Sequence, residues 1–494
     1  MTNSLARVAL VAHSAWRHVL MELVRRLKDR HGSAIHLYCT TPEEAAFYRG
    51  WDTDGLFASI SADASVLNHV EHKNADEATA LAEAKRLEEA LGISINSLTV
   101  SSRHFGRGFA LGGFRHPRSR YSENVTYPQI VSAYARVIEF WQRELREKQI
   151  TLVVNGSVEL VRLAQASNIA VRTIIHARHR NYHYWSHTEF FEHPSLEAAY
   201  RATVVDGPAE LSSPYKSHLD LRVKYLKDMG LLPLARHITW HTARYAYWRL
   251  RGYRKARGYY LSENIMMLVR QWRADKFLTG PKVSRLAELE GRKFVFFPLH
   301  TEPETALQRA SPEYFFQLAA IASLARDLPA DHLLVVKETY ENRGRRPDNF
   351  YDQIREFKNV ILLDMLELGL EVVKKSRAVV TISGTAGMEA AVLGIPVVTF
   401  GRHNIYNFLP HVHPVEREED LRPALLAALD DRLDRNHTAR DGARFLAALK
   451  SSSFDLRSLD LVAQNALEPE AAEESYRAFV SDLETPSARM IASG

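Results

Sequence analysis

The sequence predicts an α/β protein built from two domains. Short runs that are apolar throughout recur in the C-terminal half, at 294–297, 333–336, 360–363, 378–382 and 396–400. Helical stretches lie between them, as at 312–326, 350–356 and 368–375. Strands alternating with helices make a parallel sheet with right-handed crossovers, and strands apolar along their whole length suit a sheet covered on both faces. A noisier form of the same rhythm runs through the N-terminal half, with candidate strands at 7–11, 35–38, 98–101, 151–154 and 171–175. The length of 494 residues exceeds what one ordinary core holds.

Taken in order, the first strands lead to a stretch at 103–121 rich in Gly, Arg and aromatic residues, which reads as a loop or lid. The segment 129–148 has the pattern of a long helix, and Asp206-Gly207-Pro208 is a turn signal. Residues 236–260 hold seven Arg and Lys, seven Trp and Tyr, and no acid. Residues 278–285 read as a link to the second domain. The segment 467–483 is helical in pattern and is expected to cross back to the first. The expected division is 1–284, 285–466 and a terminal helix within 467–494.

The hydrophobic and charged fractions, 46% and 25%, are those of a globular protein in water. No apolar run approaches ~20 residues, so a transmembrane helix is not expected. The start, Met1-Thr2-Asn3-Ser4-Leu5, lacks the basic opening of a signal peptide. Cys39 is the single cysteine, which excludes an intrachain disulfide and a cysteine-cluster metal site. These features predict a cytoplasmic location. The net charge of +5 is too mild to imply nucleic acid. The basic, aromatic segment 236–260 suits an anionic membrane headgroup region, although its composition also fits a solvated helix with inward aromatics or stacking on single strands. A peripheral contact with the inner membrane is the expected use, and no nucleic acid is expected.

The most informative stretch is AVVTISGTAGMEAAVLGIPVVTFG at 378–401. It reads as a buried strand, a turn of small residues (Ser383-Gly384-Thr385-Ala386-Gly387), a short helix and a second strand. Such a turn opening a helix aims backbone N–H groups at one spot, and the helix dipole makes that spot favour a phosphate. The spacing is neither a Walker loop nor a dinucleotide fingerprint. His300, Lys337 and this turn all fall at the carboxyl ends of candidate strands, where sheets of this kind bind ligands.

The run SGTAGMEAAVLGIPVVTFG with Ile405-Tyr406 resembles the signature of bacterial capsule polysaccharide synthesis proteins, the Kdo-transferase type of glycosyltransferase. Phe297-Pro298-Leu299-His300-Thr301-Glu302-Pro303-Glu304 and Leu334-Val335-Val336-Lys337-Glu338 resemble that family's upstream motifs. The resemblance covers 293–414 well and 151–180 weakly. Many relatives have His-Pro shortly after the lysine, where this chain has Thr339-Tyr340. The resemblance implies a GT-B-like fold, with the two Rossmann-type domains facing across a cleft. It further implies transfer of Kdo or another nonulosonic acid from a CMP-sugar to a glycan or lipid-linked acceptor in capsule or lipopolysaccharide synthesis. Within the enzyme class the alternatives are a UDP-sugar transferase and an epimerase, the latter lacking its usual Asp-Ser-Gly-Gly turn here. A non-catalytic glycan- or nucleotide-binding partner of capsule assembly is the alternative of a different class.

Transfer from a nucleotide sugar needs a site for the leaving phosphate and a group that activates the acceptor. For the first, the candidates are Ser383, Gly384, Thr385, Ala386 and Gly387, with Lys337 as charge partner and His300 as donor. Glu389 is placed to bind ribose or sugar hydroxyls or to cap the helix. Glu304 would orient the donor or His300, and Arg402, Asn404 and Tyr406 would hold a base or sugar. For acceptor activation, Glu159 in Asn155-Gly156-Ser157-Val158-Glu159 follows a strand and opens a helix, and Asp206 is the second candidate. His176 and Arg178 would hold a carboxylated sugar, because Arg binds carboxylate with two parallel hydrogen bonds. No HExxH or zinc spacing and no DxD pair in a clear loop is present, so neither a catalytic metal nor a further cofactor is expected.

Overall fold

The computed structural model describes residues 4–70, 76–101, 125–211, 223, 225–252, 261–302, 307, 311, 314, 316–347, 349–461 and 465–484. The stretch 103–121, the end of the basic segment at 253–260, and Glu304 lie outside the described residues. The chain folds as two compact α/β units. Of the described residues, the first unit takes those within 4–98, 125–202 and 448–484, and the second those within 99–101 and 203–447.

The first unit is built on a seven-stranded sheet of order β13-β6-β5-β4-β1-β2-β3. Its strands are β1 (Arg7–Val11), β2 (Ala34–Tyr38), β3 (Ser59–Ser61), β4 (Leu152–Val154), β5 (Ala170–His176), β6 (Tyr182–Ser186) and β13 (Phe454–Asp455). The five from β3 to β5 are parallel, while β6 and β13 add antiparallel pairs at one side. The expected strand at 98–101 is instead part of a helix, Ile95–Ser101. Ser94 accepts the Ser97 amide at 3.1 Å and starts that helix, and Ile95 and Leu98 are buried, a helical spacing that outweighs the β-prone Thr-Val pair.

The second unit holds a six-stranded, wholly parallel sheet of order β12-β11-β10-β7-β8-β9. Its strands are β7 (Phe294–Pro298), β8 (Leu333–Lys337), β9 (Val360–Leu363), β10 (Ala378–Thr381), β11 (Val397–Thr399) and β12 (Val412–Pro414). The five apolar runs all became strands because the sheet buries both faces. Val295, Phe297, Leu334, Val336, Val380 and Val398 pack in one cluster with Ile321, Leu324 and Leu425 of the covering helices. The chain lays β8 and β9 on one side of β7 and β10 to β12 on the other, so the strand order reverses between β7 and β10.

The boundary between the units is not at 285. The residues from 203 onward group with the second unit, and among them is the described part of the basic segment. Its helix, Leu231–Leu250, pairs with the helix Leu261–Leu278, which in turn packs on the second unit. The Asp275 carboxylate there holds the Arg343 guanidinium at 2.8 Å. The return to the first unit begins at Ala448, before the terminal helix Pro469–Glu484. That helix lies on the helix Arg17–His31, where Glu473 pairs with Arg26 and Arg30 and the Tyr476 hydroxyl meets His31.

Candidate functional site

The reversal of strand order between β7 and β10 makes a crevice beyond their carboxyl ends the expected ligand position in the second unit. Two residues after β7 comes His300, and β10 ends on Thr381, so these two side chains meet there. His300 Nε2 accepts the Ser383 amide at 3.1 Å and lies 3.1 Å from the Thr381 hydroxyl. An imidazole nitrogen that accepts from an amide carries no proton, so the neutral ring holds its proton on Nδ1. The Thr381 oxygen in turn accepts the Gly384 amide at 2.9 Å. His300 is therefore a brace that ties β7 to the turn after β10.

This bracing changes the reading of the turn. The Ser383 and Gly384 amides are satisfied within the protein, and the Gly387 amide bonds the Gly384 carbonyl. The helix Thr385–Val392 begins after Gly384, and its half-buried Thr385 and Ala386 present amides that find no partner among the described residues. These two amides, rather than five, are what the turn offers an anion. The glycines serve packing. A Cβ at Gly384 would sit 3.0 Å from His300 Nε2, and one at Gly387 would sit 2.5 Å from the Tyr406 hydroxyl. Tyr406 is buried against Gly387 and is not open to a base.

Lys337 ends β8 beside this turn's sheet edge and is buried, with its ammonium 3.3 Å from the Glu338 carbonyl and 5.3 Å from the Tyr340 ring. Burial pushes its pKa down to about 8 against the pull of Glu338, Asp364 and Glu367. Glu389 is the fifth residue of its helix, past the first turn, so it does not cap the helix N-terminus. Only 5% of it is exposed, its Oε1 has no partner among the described residues, and burial pushes its carboxyl up to about 7. Arg402 is exposed and donates to the Glu416 carbonyl at 3.3 Å. Asn404 donates to the Ile382 and Gly401 carbonyls and so fastens the loop after β11 to the end of β10.

A buried polar network that sequence reasoning passed over holds His300 in place. Gln317 accepts the His300 amide at 2.6 Å and donates to its carbonyl at 3.1 Å. Arg346 donates to the same carbonyl at 2.7 Å and pairs with Glu302 and Glu338. Tyr351 donates to Glu338 at 2.9 Å. The available signal was the acid following the strand-end lysine, Lys337-Glu338, with the Arg345-Arg346 pair a short loop later.

In the first unit, Glu159 is buried in the first turn of the helix Val158–Ala166 and accepts the Ser157 hydroxyl at 2.6 Å. The preceding Asn155 takes a left-handed φ of 60° and accepts the Ile174 amide, which sets the turn after β4. Both ring nitrogens of His176 are engaged. Nδ1 accepts the Arg178 amide and Nε2 donates to the Arg180 carbonyl, each at 2.8 Å. His176 thus closes its own turn, and burial lowers its pKa. Arg178, in a left-handed conformation, is half-buried in the same turn. Asp206 is exposed in a bend and belongs to the second unit, so the two acceptor-side carboxylate candidates are in different units.

Residues 237–409 match the protein family described as capsule polysaccharide biosynthesis protein. The match takes in His300, Lys337, the 383–387 turn, Glu389 and Tyr406. Among solved structures, the chain is similar to the beta Kdo 2,7 transferase KpsC of Thermosulfurimonas dismutans, at 14% identity over 70% of this chain and 89% of that one, with a TM-score of 0.33. It is also similar to S. aureus MnaA solved with UDP, at 10% identity over 97% of each chain and a TM-score of 0.30. The UDP-GlcNAc 2-epimerase of Methanocaldococcus jannaschii is 11% identical over 90% and 99%, with a TM-score of 0.26. Likenesses at these scores carry no functional weight. No curated protein matches the chain.

Proposed function

We propose that the chain is a glycosyltransferase of capsule or related surface polysaccharide synthesis. Its donor is a CMP-activated acidic sugar, Kdo or another nonulosonic acid, used without a metal. The observation that carries this reading is the meeting of His300, Thr381 and the 383–387 turn at the reversal of strand order, inside the family-matched segment. In this reading the Thr385 and Ala386 amides and the helix dipole receive the leaving phosphate, and Lys337 supplies charge. Glu389 accepts from hydroxyls of ribose or sugar, and Arg402 reaches the base from the surface. Glu304 keeps its proposed part in orienting the donor. Glu159 or Asp206 activates the acceptor, and Arg178 holds a carboxylate.

The test is a thermal-shift and calorimetric panel of CMP, CDP, UDP, GDP and ADP without metal. A ligand bound by the folded state raises its apparent stability. Selective stabilisation by CMP is expected. Selective binding of UDP or GDP would discard the CMP-sugar donor, and silence from all five would overturn the transferase reading in favour of a non-catalytic partner. The Ser383 and Thr385 hydroxyls join the Thr385 and Ala386 amides as donors to the phosphate, so in the double variant Ser383→Ala with Thr385→Ala nucleotide affinity is expected to fall by about 1–3 kcal/mol. Unchanged affinity in the folded variant would remove the phosphate from this turn.

The reading includes an acceptor at a membrane face. Among the described residues, no helix is long and apolar enough to cross a membrane. The helix Leu231–Leu250, however, has no buried residue along its length. It exposes Leu231, Leu232, Trp240, Tyr247 and Leu250, with Arg236 and Arg249 beside them. Apolar and aromatic side chains among arginines match an anionic headgroup layer. The full chain is expected to bind vesicles containing phosphatidylglycerol, with weaker binding at high salt and in Leu232→Asp or Trp240→Ser. Equal binding to neutral and anionic vesicles would count against this surface.

A further inference from the structure

The first unit carries a cavity that none of the roles above uses. It has a volume of about 490 Å³ and lies between the helices Arg17–His31 and Pro42–Trp51, with Leu467 at one side. This is the size range of small-ligand sites. Arg17, Met21 and Arg25 recur every four residues and so form one face of the first helix, while Phe47 and Trp51 do the same on the second. The two faces meet as rungs, with the Arg17 guanidinium 5.5 Å from the Phe47 ring centre and that of Arg25 5.0 Å from Trp51. The rungs are about 12 Å apart along the first helix, eight residues at helical rise.

Two features mark this cavity as a binding site. Phe47 and Trp51 are 49% and 37% exposed, so each ring keeps accessible surface beyond the side that its arginine covers. The charge is unbalanced, because two arginines line it against the single carboxylate of Glu22. Glu22 is paired with Arg25 and Arg26, while Arg17 has no ion pair or hydrogen bond among the described residues. A planar guanidinium held over an aromatic ring, with its donors unspent, is suited to a carboxylate. Two partly exposed rings, with the Arg17 cation unpaired among the described residues at one rung and the Arg25 cation shared with Glu22 at the other, suit a chain of sugars whose C–H faces stack on the rings and whose carboxylate meets Arg17. The spacing of the rungs favours an oligosaccharide over a single sugar.

We infer that this cavity binds a carboxylated oligosaccharide, the growing acidic glycan, as a docking site for the acceptor. The choice of a glycan rests on the glycosyltransferase reading, whereas the carboxylate requirement rests on the cavity alone. The experiment is calorimetric titration of the full chain with tetragalacturonate and with tetrameric α2,8-sialic acid, alongside the same tetramers with their carboxyls reduced to alcohols. The wild type is expected to bind at least one acidic tetramer, and the reduced form at least about tenfold more weakly. Arg17→Ala and Trp51→Ala are expected to lose about tenfold or more in affinity for the acidic tetramer, with Arg17→Lys intermediate and CMP affinity unchanged in all three. Equal binding of acidic and reduced tetramers would overturn the inference. So would wild-type affinity in folded Arg17→Ala and Trp51→Ala variants, loss of CMP binding in either, or a wild type that binds nucleotide but neither tetramer. Tetramer binding with the expected losses, in a chain that binds no nucleotide, would support the docking site while the transferase reading failed.

Discussion

Replacing Arg346 with alanine is expected to destabilise the second unit by about 3–5 kcal/mol, the cost of leaving a buried charge without its partner. Arg346 is only 3% exposed, and Glu338 is fully buried. Its guanidinium spans three groups, with Glu302 at 2.7 Å, Glu338 at 2.8 Å and the His300 carbonyl at 2.7 Å. Burial works against the positive charge, yet the Glu302 and Glu338 carboxylates more than offset it and hold the pKa of Arg346 above its usual value. Burial likewise raises the carboxyl of Glu302, which Arg346 only partly restrains. Removing the cation would leave two carboxylates facing each other in a dry interior. Tyr351 and the Thr339 amide would still donate to Glu338, so the loss falls short of a full desolvation penalty. Urea unfolding followed by tyrosine and tryptophan fluorescence measures the effect. Arg346→Lys should recover part of the stability, because an ammonium keeps the charge but cannot reach all three acceptors at once. A loss below about 1 kcal/mol in the alanine variant would mean that water enters the site and solvates both acids.

The second unit was largely legible because each of its five apolar runs is buried on both faces and carries no competing pattern. The N-terminal sheet was less so. Its edge pairings, β3, β6 and β13, are short or mixed in polarity, and His183 and Ser186 of β6 are buried polar residues that no alternation announces. The 98–101 segment failed because a cap at Ser94, four residues upstream, decides its state, and β propensity does not see a cap. The site divides in the same way. That His300, Lys337 and the 383–387 turn share one sheet edge could be read from strand ends alone. What they do to each other could not. Whether a turn amide is free for a ligand depends on whether a histidine eighty-odd residues away has already taken it, as His300 does with Ser383. The role of Gly387 likewise depends on Tyr406, which arrives from the far side of β11.

The largest pH effect is expected at Glu389. A Glu389→Gln variant should be more stable than the wild type above neutral pH by up to about 3 kcal/mol, and should lose that advantage in acid. The sign follows from the two states of the carboxyl. Unfolded, it titrates near 4.5, and folded, burial holds it protonated up to about 7. Below 4.5 it is neutral in both states and contributes no penalty. Between 4.5 and 7 the unfolded chain gives up the proton and the folded chain keeps it, so stability drains away as the pH rises. Above 7 the full penalty is present, since the folded carboxylate is charged and buried, with Oε1 unpartnered among the described residues. Glutamine is neutral throughout, so the variant's stability should lack this slope, although its amide brings a fixed cost if the added N–H groups stay unbonded. Urea midpoints of both proteins at about pH 5 and about pH 8 separate the two contributions, because only the carboxyl depends on pH. Parallel profiles across that range would show that Glu389 is solvated and ionised in the folded chain. The same chemistry makes the site responsive to a ligand. A hydroxyl that donates to Oε1 favours the carboxylate, so nucleotide binding near pH 6 should expel a proton from the wild type and none from Glu389→Gln. Calorimetry in two buffers of different ionisation enthalpy reads that proton directly. Its absence in the wild type would separate Glu389 from the ligand while leaving its effect on stability intact.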